Sequence, residues 1–253
     1  PLETAANWIE QSCYPPNRIE AFVELHIEQG PVLDAAHKSI GVVTVIAAPT
    51  RFTVSFTGMQ SHSGATPMHL RKDALAAAAE FILAVEQVCT QSGEVVGSVG
   101  MVRVQPNVLN VIPGQADVGV DLRSGSAPAK RAALDEILDQ LASISARRGI
   151  ATEIKVLADE TPCVLSEDII LLIEKNAQGL EHEHLRLPSG AGHDAAHIAK
   201  LVPNTGMLFV PSRNGISHNP QEWTDEADIR KGIEVYLLTV ADLLQRQPER
   251  GTQ

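Results

Sequence analysis

The sequence predicts an α/β protein carrying an α+β insertion, and three observations support that prediction. Residues 51–57 and 116–123 alternate apolar and polar side chains, as half-buried strands do. Residues 71–90 and 126–148 have the length and the Ala/Leu-rich composition of helices. On either side of a strand at 207–210, amphipathic stretches at 167–180 and 225–245 give the helix–strand alternation of an α/β layer.

Taken in order, Pro15-Pro16 makes a turn before an opening strand that ends at Gly30-Pro31, and a short amphipathic piece (32–37) follows. Residues 41–46 are a strand run, broken at Pro49, and 51–57 is a half-buried strand ending at Gly58. Asp73 stands near the start of the first long helix, where an acid favours the positive end of the dipole. Residues 95–104 form a glycine-weakened strand. In 116–123, Ala116, Val118, Val120 and Leu122 point inward. Ser126 and Pro128 open the second helix, Gly149 stops it, and 152–157 closes the set. The order from 42 to 157 is that of a split βαβ, ferredoxin-like unit. The predicted division is therefore 1–40 and 158–253 as parts of one domain, with 41–157 inserted.

Composition narrows the function. Apolar residues make up 44% of the 253, which describes a globular chain. The balance of 20 Lys+Arg against 31 Asp+Glu gives a net charge of −11, which argues against nucleic acid or an anionic membrane as partner. No apolar run is expected to reach the roughly 18–20 residues that span a bilayer. The N-terminus has neither the basic nor the apolar region of a signal peptide and no initiating Met. The expectation is a chain cut from, or processed out of, a longer product. Cys13, Cys89 and Cys163 are odd in number and widely spaced, which suggests a reducing cytoplasm.

Five stretches could carry chemistry. In Glu24-Leu25-His26-Ile27-Glu28-Gln29-Gly30-Pro31 a strand would place Glu24, His26 and Glu28 on one face, a set able to bind metal or move protons; a polar strand edge with a solvated histidine is the other reading, and the spacing alone favours it. Ser61-His62-Ser63-Gly64 lies in a loop between strand and helix, where side chains and N–H groups face ligands; a surface turn is the other reading. Asn110 and Arg123 could clamp a carboxylate through carboxamide and guanidinium, or could serve a turn and a surface ion pair. Ser189-Gly190-Ala191-Gly192-His193-Asp194-Ala195 allows close backbone approach, and His193 could stabilise an oxyanion. Ser217-His218-Asn219-Pro220 follows a strand in a Gly/Ser/Asn loop, a position that suits a metal ligand.

In this order these motifs, with Asn-Val-Ile-Pro-Gly at 110–114 and Asp-Leu-Arg at 121–123, closely resemble the C-terminal part of the allantoate amidohydrolase / N-carbamoyl-L-amino acid hydrolase family. That family belongs to the aminoacylase/carboxypeptidase superfamily of dinuclear metallohydrolases. The resemblance covers essentially the whole chain. It implies a ferredoxin-like lid and dimerisation domain inserted in a zinc-peptidase-like α/β catalytic domain. It implies two divalent metal ions, zinc or manganese, with His26 a ligand of one and His218 of the other. His62, Asn110 and Arg123 would bind a small carboxylate substrate, reaching into the partner's site of a homodimer. Gly192 and His193 would contact substrate and stabilise the tetrahedral intermediate, Gln29 would lie beside the metal-binding strand, and Glu24 and Glu28 would keep supporting roles. The family's further N-terminal stretch, with most metal ligands and the Glu that activates water, has no counterpart here. The catalytic domain is thus expected to be incomplete and the chain inactive alone. The alternatives are a non-catalytic dimerisation or carboxylate-binding module, or an aminoacylase- or dipeptidase-like hydrolase.

Overall fold

The computed structural model describes residues 18–246. Cys13 and the Pro15-Pro16 turn lie outside them. The chain divides into two compact units, Pro1–Ile46 with Cys163–Gln253, and Ala47–Pro162.

The first unit opens with β1 (Phe22–Ile27), a single turn of helix α1 (Val32–Ala35) and β2 (Ile40–Ile46). The chain then builds the second unit from β3 (Ala48–Thr57), β4 (Ser61–His62), α2 (Ala74–Ser92), β5 (Val96–Gln105), β6 (Val111–Ile112), β7 (Gln115–Ser124), α3 (Ala127–Arg148) and β8 (Ala151–Asp159). It returns to the first unit with β9 (Cys163–Val164), α4 (Glu167–Gly179), β10 (His184–Ser189), α5 (Asp194–Ile198), β11 (Thr205–Val210) and α6 (Glu226–Gln245).

In the second unit the strand order β5-β7-β3-β8 is antiparallel throughout, with α2 and α3 packed together. This is the βαββαβ arrangement predicted. Alternation in β3 buries Phe52, Val54 and Phe56, which meet Phe81, Val85, Ile137 and Leu141 of the helices. Each such side chain contributes about 1.5–3 kcal/mol on burial. Asp73 and Ser126 cap the helix starts, accepting from Ala76 N at 3.0 Å and Ala129 N at 3.3 Å. Gly149 ends α3 at φ 61°, a left-handed turn that costs glycine little. By length and composition α2 could span a bilayer, contrary to the sequence expectation, but Ala74, Ala77, Ala78, Phe81 and Val85 on one side of it are buried in the unit's core.

The sequence placed the start of the insertion at residue 41. The structure moves it to 47, because β2 pairs antiparallel with β11 and parallel with β10 in the first unit. The physical signal was present: Ile40, Gly41, Val42 and Val43 are all buried, as in a strand covered on both faces, whereas β3 alternates. The far boundary likewise moves from 157 to 162, since β8 runs to Asp159.

The first unit's sheet runs β1-β11-β2-β10, with β9 on β2. All six residues of β11 are buried. Helix α4 and helix α6 contribute Ile169, Ile170, Ile173 and Val235 to the core around them. The sequence reading passed over β10, whose exposed Arg186 and Pro188 hide its alternation, and α5, which is only five residues long.

Candidate functional site

Strand β1 pairs parallel with β11, His26 opposite Phe209. Leu25 points the other way, close to Gly232 of α6. Glu24 and His26 share the opposite face, and His193, the residue before α5, joins them. The candidate ligand atoms of Glu24, His26 and His193 all lie within 4.8 Å of one another. The two imidazole rings are 4.7 Å apart at 68°, and His193 lies 5.5 Å from the Phe209 ring.

Hydrogen bonds fix much of this cluster. Glu24 Oε2 accepts from Ala195 N at 2.8 Å, tying α5 to β1. His26 Nδ1 is 2.8 Å from the Ile27 carbonyl, which can only accept, so this nitrogen carries a proton and Nε2 keeps a lone pair. The His193 side chain is 1% exposed. Its pKa is pushed down to about 4, first by burial and then by His26, against a smaller opposing pull from Asp194. His193 is therefore neutral near pH 7, and its Nδ1, 3.7 Å from Glu24 Oε1, is not in a salt bridge with it. Ligands about 2.1 Å from one tetrahedral ion lie roughly 3.4 Å apart, so the pair fits a shared divalent cation.

Glu28, the third member of the predicted face, does something else. Its buried carboxylate accepts from Val32 N and Leu33 N, both at 2.8 Å, and caps α1. Burial raises its pKa, while these two backbone bonds pull it down. A Cβ at Gly30 would stand 2.9 Å from Glu28 Oε1, which explains the glycine. Gln29 adopts φ 58°, and its N–H donates to Ser212 Oγ at 3.0 Å. His218 is exposed at φ 56° in the loop after β11, its N–H donating to Glu222 Oε2 at 3.3 Å; it is not among the three clustered residues. At Gly192 a Cβ would meet no atom within 4 Å, so the fold itself does not demand glycine there and the space beside it is open.

In the second unit β4 and β6 form a small ribbon, with His62 opposite Val111. His62 is exposed, and its Nδ1 accepts from Gly64 N at 3.0 Å and Ala65 N at 3.2 Å. The remaining nitrogen, Nε2, then carries the proton and offers a donor outward. Asn110, also exposed, is held to the same loop through its carbonyl, which accepts from Ser63 N at 3.2 Å. Arg123 lies elsewhere. From Gln115 to Arg123 strand β7 advances eight residues, about 26 Å at roughly 3.3 Å each. Arg123 donates to both carboxylate oxygens of Asp121, at 3.1 and 3.0 Å, and Arg51 also donates to Asp121 at 3.0 Å. Burial opposes them, but the two guanidiniums hold the Asp121 carboxyl below its usual range. The carboxamide–guanidinium clamp pictured from sequence is therefore not assembled within one unit.

Sequence reasoning left Glu24 a supporting role; the structure puts its carboxylate in the cluster. The signal was the β1 alternation, which places residues 24 and 26 together, but nothing local showed that Glu28 would turn aside to cap a helix.

Glu24, His26 and His193 on the α/β sheet could hold a metal ion, and the other unit has the βαββαβ order. The profile of peptidase family M20/M25/M40 matches residues 4–242, and the chain belongs to that family. It is 40% identical over 220 residues to the N-carbamoyl-L-amino-acid amidohydrolase of Paenarthrobacter aurescens, covering 87% of this chain and 53% of that protein. It is 35% identical over 237 residues to the allantoate amidohydrolase of Escherichia coli, covering 90% and 56%. A solved amidase of the hydantoinase/carbamoylase family from Burkholderia multivorans superposes with a TM-score of 0.85 at 35% identity, covering 88% of this chain and 55% of that one. The chain spans little more than half the length of these relatives.

Proposed function

We propose that this chain supplies part of a divalent-metal-dependent amidohydrolase that cleaves the C–N bond of a small acid, allantoate or an N-carbamoyl amino acid, releasing ammonia and CO2. The observation that carries the reading is the Glu24–His26–His193 cluster. Its donors fit a zinc- or manganese-like ion, because both imidazoles have a lone-pair form available and the carboxylate stands beside them. His218, from its exposed loop, is assigned to a second ion. A bound divalent cation would lower the pKa of water and polarise the scissile carbon.

The chain's own residues have separate tasks. His62 offers its outward Nε2–H to a developing oxyanion, and Asn110 offers its carboxamide beside it. The open space at Gly192 lets a substrate approach the backbone next to His193. Arg123, by exchanging its Asp121 contact, holds the substrate carboxylate. The stretch of β7 between Asn110 and Arg123 is too long for one small acid to touch both in one copy, so these groups are assigned to different sites of a homodimer. β5 suits such pairing. Among the described residues it is a ten-residue edge strand without proline and with one charge, Arg103. The free Cys89 and Cys163 thiols accord with a cytoplasmic enzyme.

The 253 residues alone are assigned no turnover. Among the described residues of β1 and its turn, Glu24 accepts from Ala195 N–H through one carboxylate oxygen and Glu28 caps α1, which supports assigning neither as the base that takes a proton from water. Ammonia release from allantoate and N-carbamoyl-β-alanine in zinc or manganese tests this. The expected result is metal-dependent substrate binding without release. Robust release by this chain would overturn the inactivity, and absence of both metal and substrate binding would overturn the assignment.

A further inference from the structure

The second unit holds a cavity of about 200 Å3 that the proposed hydrolysis does not use. Thr50, Lys130, Arg131, Leu134, Asp159 and Glu160 are among its walls, and all six belong to that unit. Lys130 is 5% exposed, and its ammonium donates to the carbonyls of Ala48, at 3.3 Å, and Glu160. An ammonium has three N–H groups, so one is left over. Asp159 Oδ1 lies 3.8 Å from the nitrogen, beyond hydrogen-bond reach, and already accepts from the Thr50 hydroxyl at 2.7 Å. A nearly buried cation with a donor unspent and a carboxylate just out of reach leaves a place for a polar group beside both. The exposed Arg131 guanidinium and Glu160 carboxylate have no hydrogen-bond or ion-pair partner among the described residues.

We propose that this cavity binds a small aliphatic amino acid as its zwitterion, the carboxylate held by Arg131 and Lys130 and the ammonium by Asp159 and Glu160. The charges of the walls decide the class. A simple anion would meet Asp159 and Glu160, and a simple cation would meet Lys130 and Arg131. A molecule with one charge of each sign has a partner for both. Against the roughly 30 Å3 that one water occupies in the liquid, the volume admits about six or seven non-hydrogen atoms, the size of alanine. Leu134, half-buried, offers an apolar wall to the alkyl group. The inference goes beyond the hydrolytic reading and needs no metal. The two meet in one respect: hydrolysis of an N-carbamoyl amino acid leaves a free amino acid, the class this cavity takes.

Titration of the metal-free chain with L-alanine, followed by 1H–15N correlation spectra, tests the proposal. The amides of Thr50, Lys130, Arg131, Asp159 and Glu160 should shift together and saturate, with a Kd of about 1 mM or tighter. Lactate, which lacks the ammonium, and ethylamine, which lacks the carboxylate, should each bind at least about tenfold more weakly. Arg131→Ala, at an exposed position, should keep the fold and weaken L-alanine binding about tenfold, and Asp159→Asn should do the same. No saturation by about 20 mM L-alanine, or shifts confined to other residues, overturns the site. Equal affinity for lactate overturns the zwitterion in favour of an anion, and equal affinity for ethylamine overturns it in favour of a cation. Binding unchanged in both variants places the ligand elsewhere and overturns the proposal as well. None of these outcomes bears on the hydrolytic reading, which stands or falls on metal and substrate binding.

Discussion

The two units treat their functional side chains in opposite ways. In the first, His193 is almost wholly buried and each of Glu24, His26 and His193 is held by a specific neighbour, Ala195 N–H, the Ile27 carbonyl and Ser189. In the second, His62 and Asn110 stand exposed on a two-stranded ribbon, and Arg123 is occupied by Asp121 at the far end of β7. Burial with fixed partners sets protons and lone pairs before any ligand arrives, at a cost in desolvation. Exposure on a ribbon leaves donors ready but organises no site. The first pattern leaves ligand atoms fixed in place, and the second leaves donors open to whatever approaches them.

Four substitutions sharpen or break this contrast, the largest effect first. His26→Ala should abolish stoichiometric zinc binding, read by elemental analysis, while leaving the helical circular dichroism intact. Phe81→Ala, in the core of the second unit, should cost about 3–5 kcal/mol in denaturant unfolding of that unit and leave the zinc stoichiometry of the first unchanged; loss of zinc would show that the contrast is false. Glu28→Ala uncaps α1 and strands two backbone N–H groups, which should cost about 1–3 kcal/mol in thermal unfolding.

The smallest effect concerns Glu80, which bonds Arg148 and Arg147 across α2 and α3. The Arg148 bond leads in holding its carboxyl below the usual range, with Arg147 adding to it and burial opposing. A carboxyl depressed in the folded state binds fewer protons there than in the unfolded chain. Its stabilisation is therefore present above the ordinary value of 4.5 and is lost as pH falls through the folded value. For this half-exposed network the amount is at most about 1 kcal/mol. Glu80→Gln should flatten that part of the acid limb of a stability–pH curve, and an unchanged limb would remove Glu80 from the account.

The two units also differed in how plainly the sequence announced them. The second was legible almost strand by strand, because β3 and β7 alternate and Asp73, Ser126 and Gly149 mark helix ends with their own chemistry. The first was not. β2 is buried along most of its length and reads as a generic apolar run, so it was assigned to its sequence neighbour β3, not to its spatial neighbours β10 and β11. The site followed the same rule. His26 and Glu24 could be paired by period-two alternation alone. That His193 joins them, and that Glu28 leaves, depends on where α5 and α1 land, which no local pattern encodes. Arg123 and Asn110 looked close because they are close in sequence, yet an extended strand is the conformation that separates neighbours most.

The central claim is that Glu24, His26 and His193 form one cation site already arranged by the fold. Titration of the metal-free chain with cobalt, followed by its visible ligand-field absorption, tests it most directly. The account predicts one equivalent bound with a spectrum of mixed nitrogen and oxygen ligation, lost in both His26→Ala and His193→Ala. Binding that survives His193→Ala unchanged, or no binding at all, would contradict it.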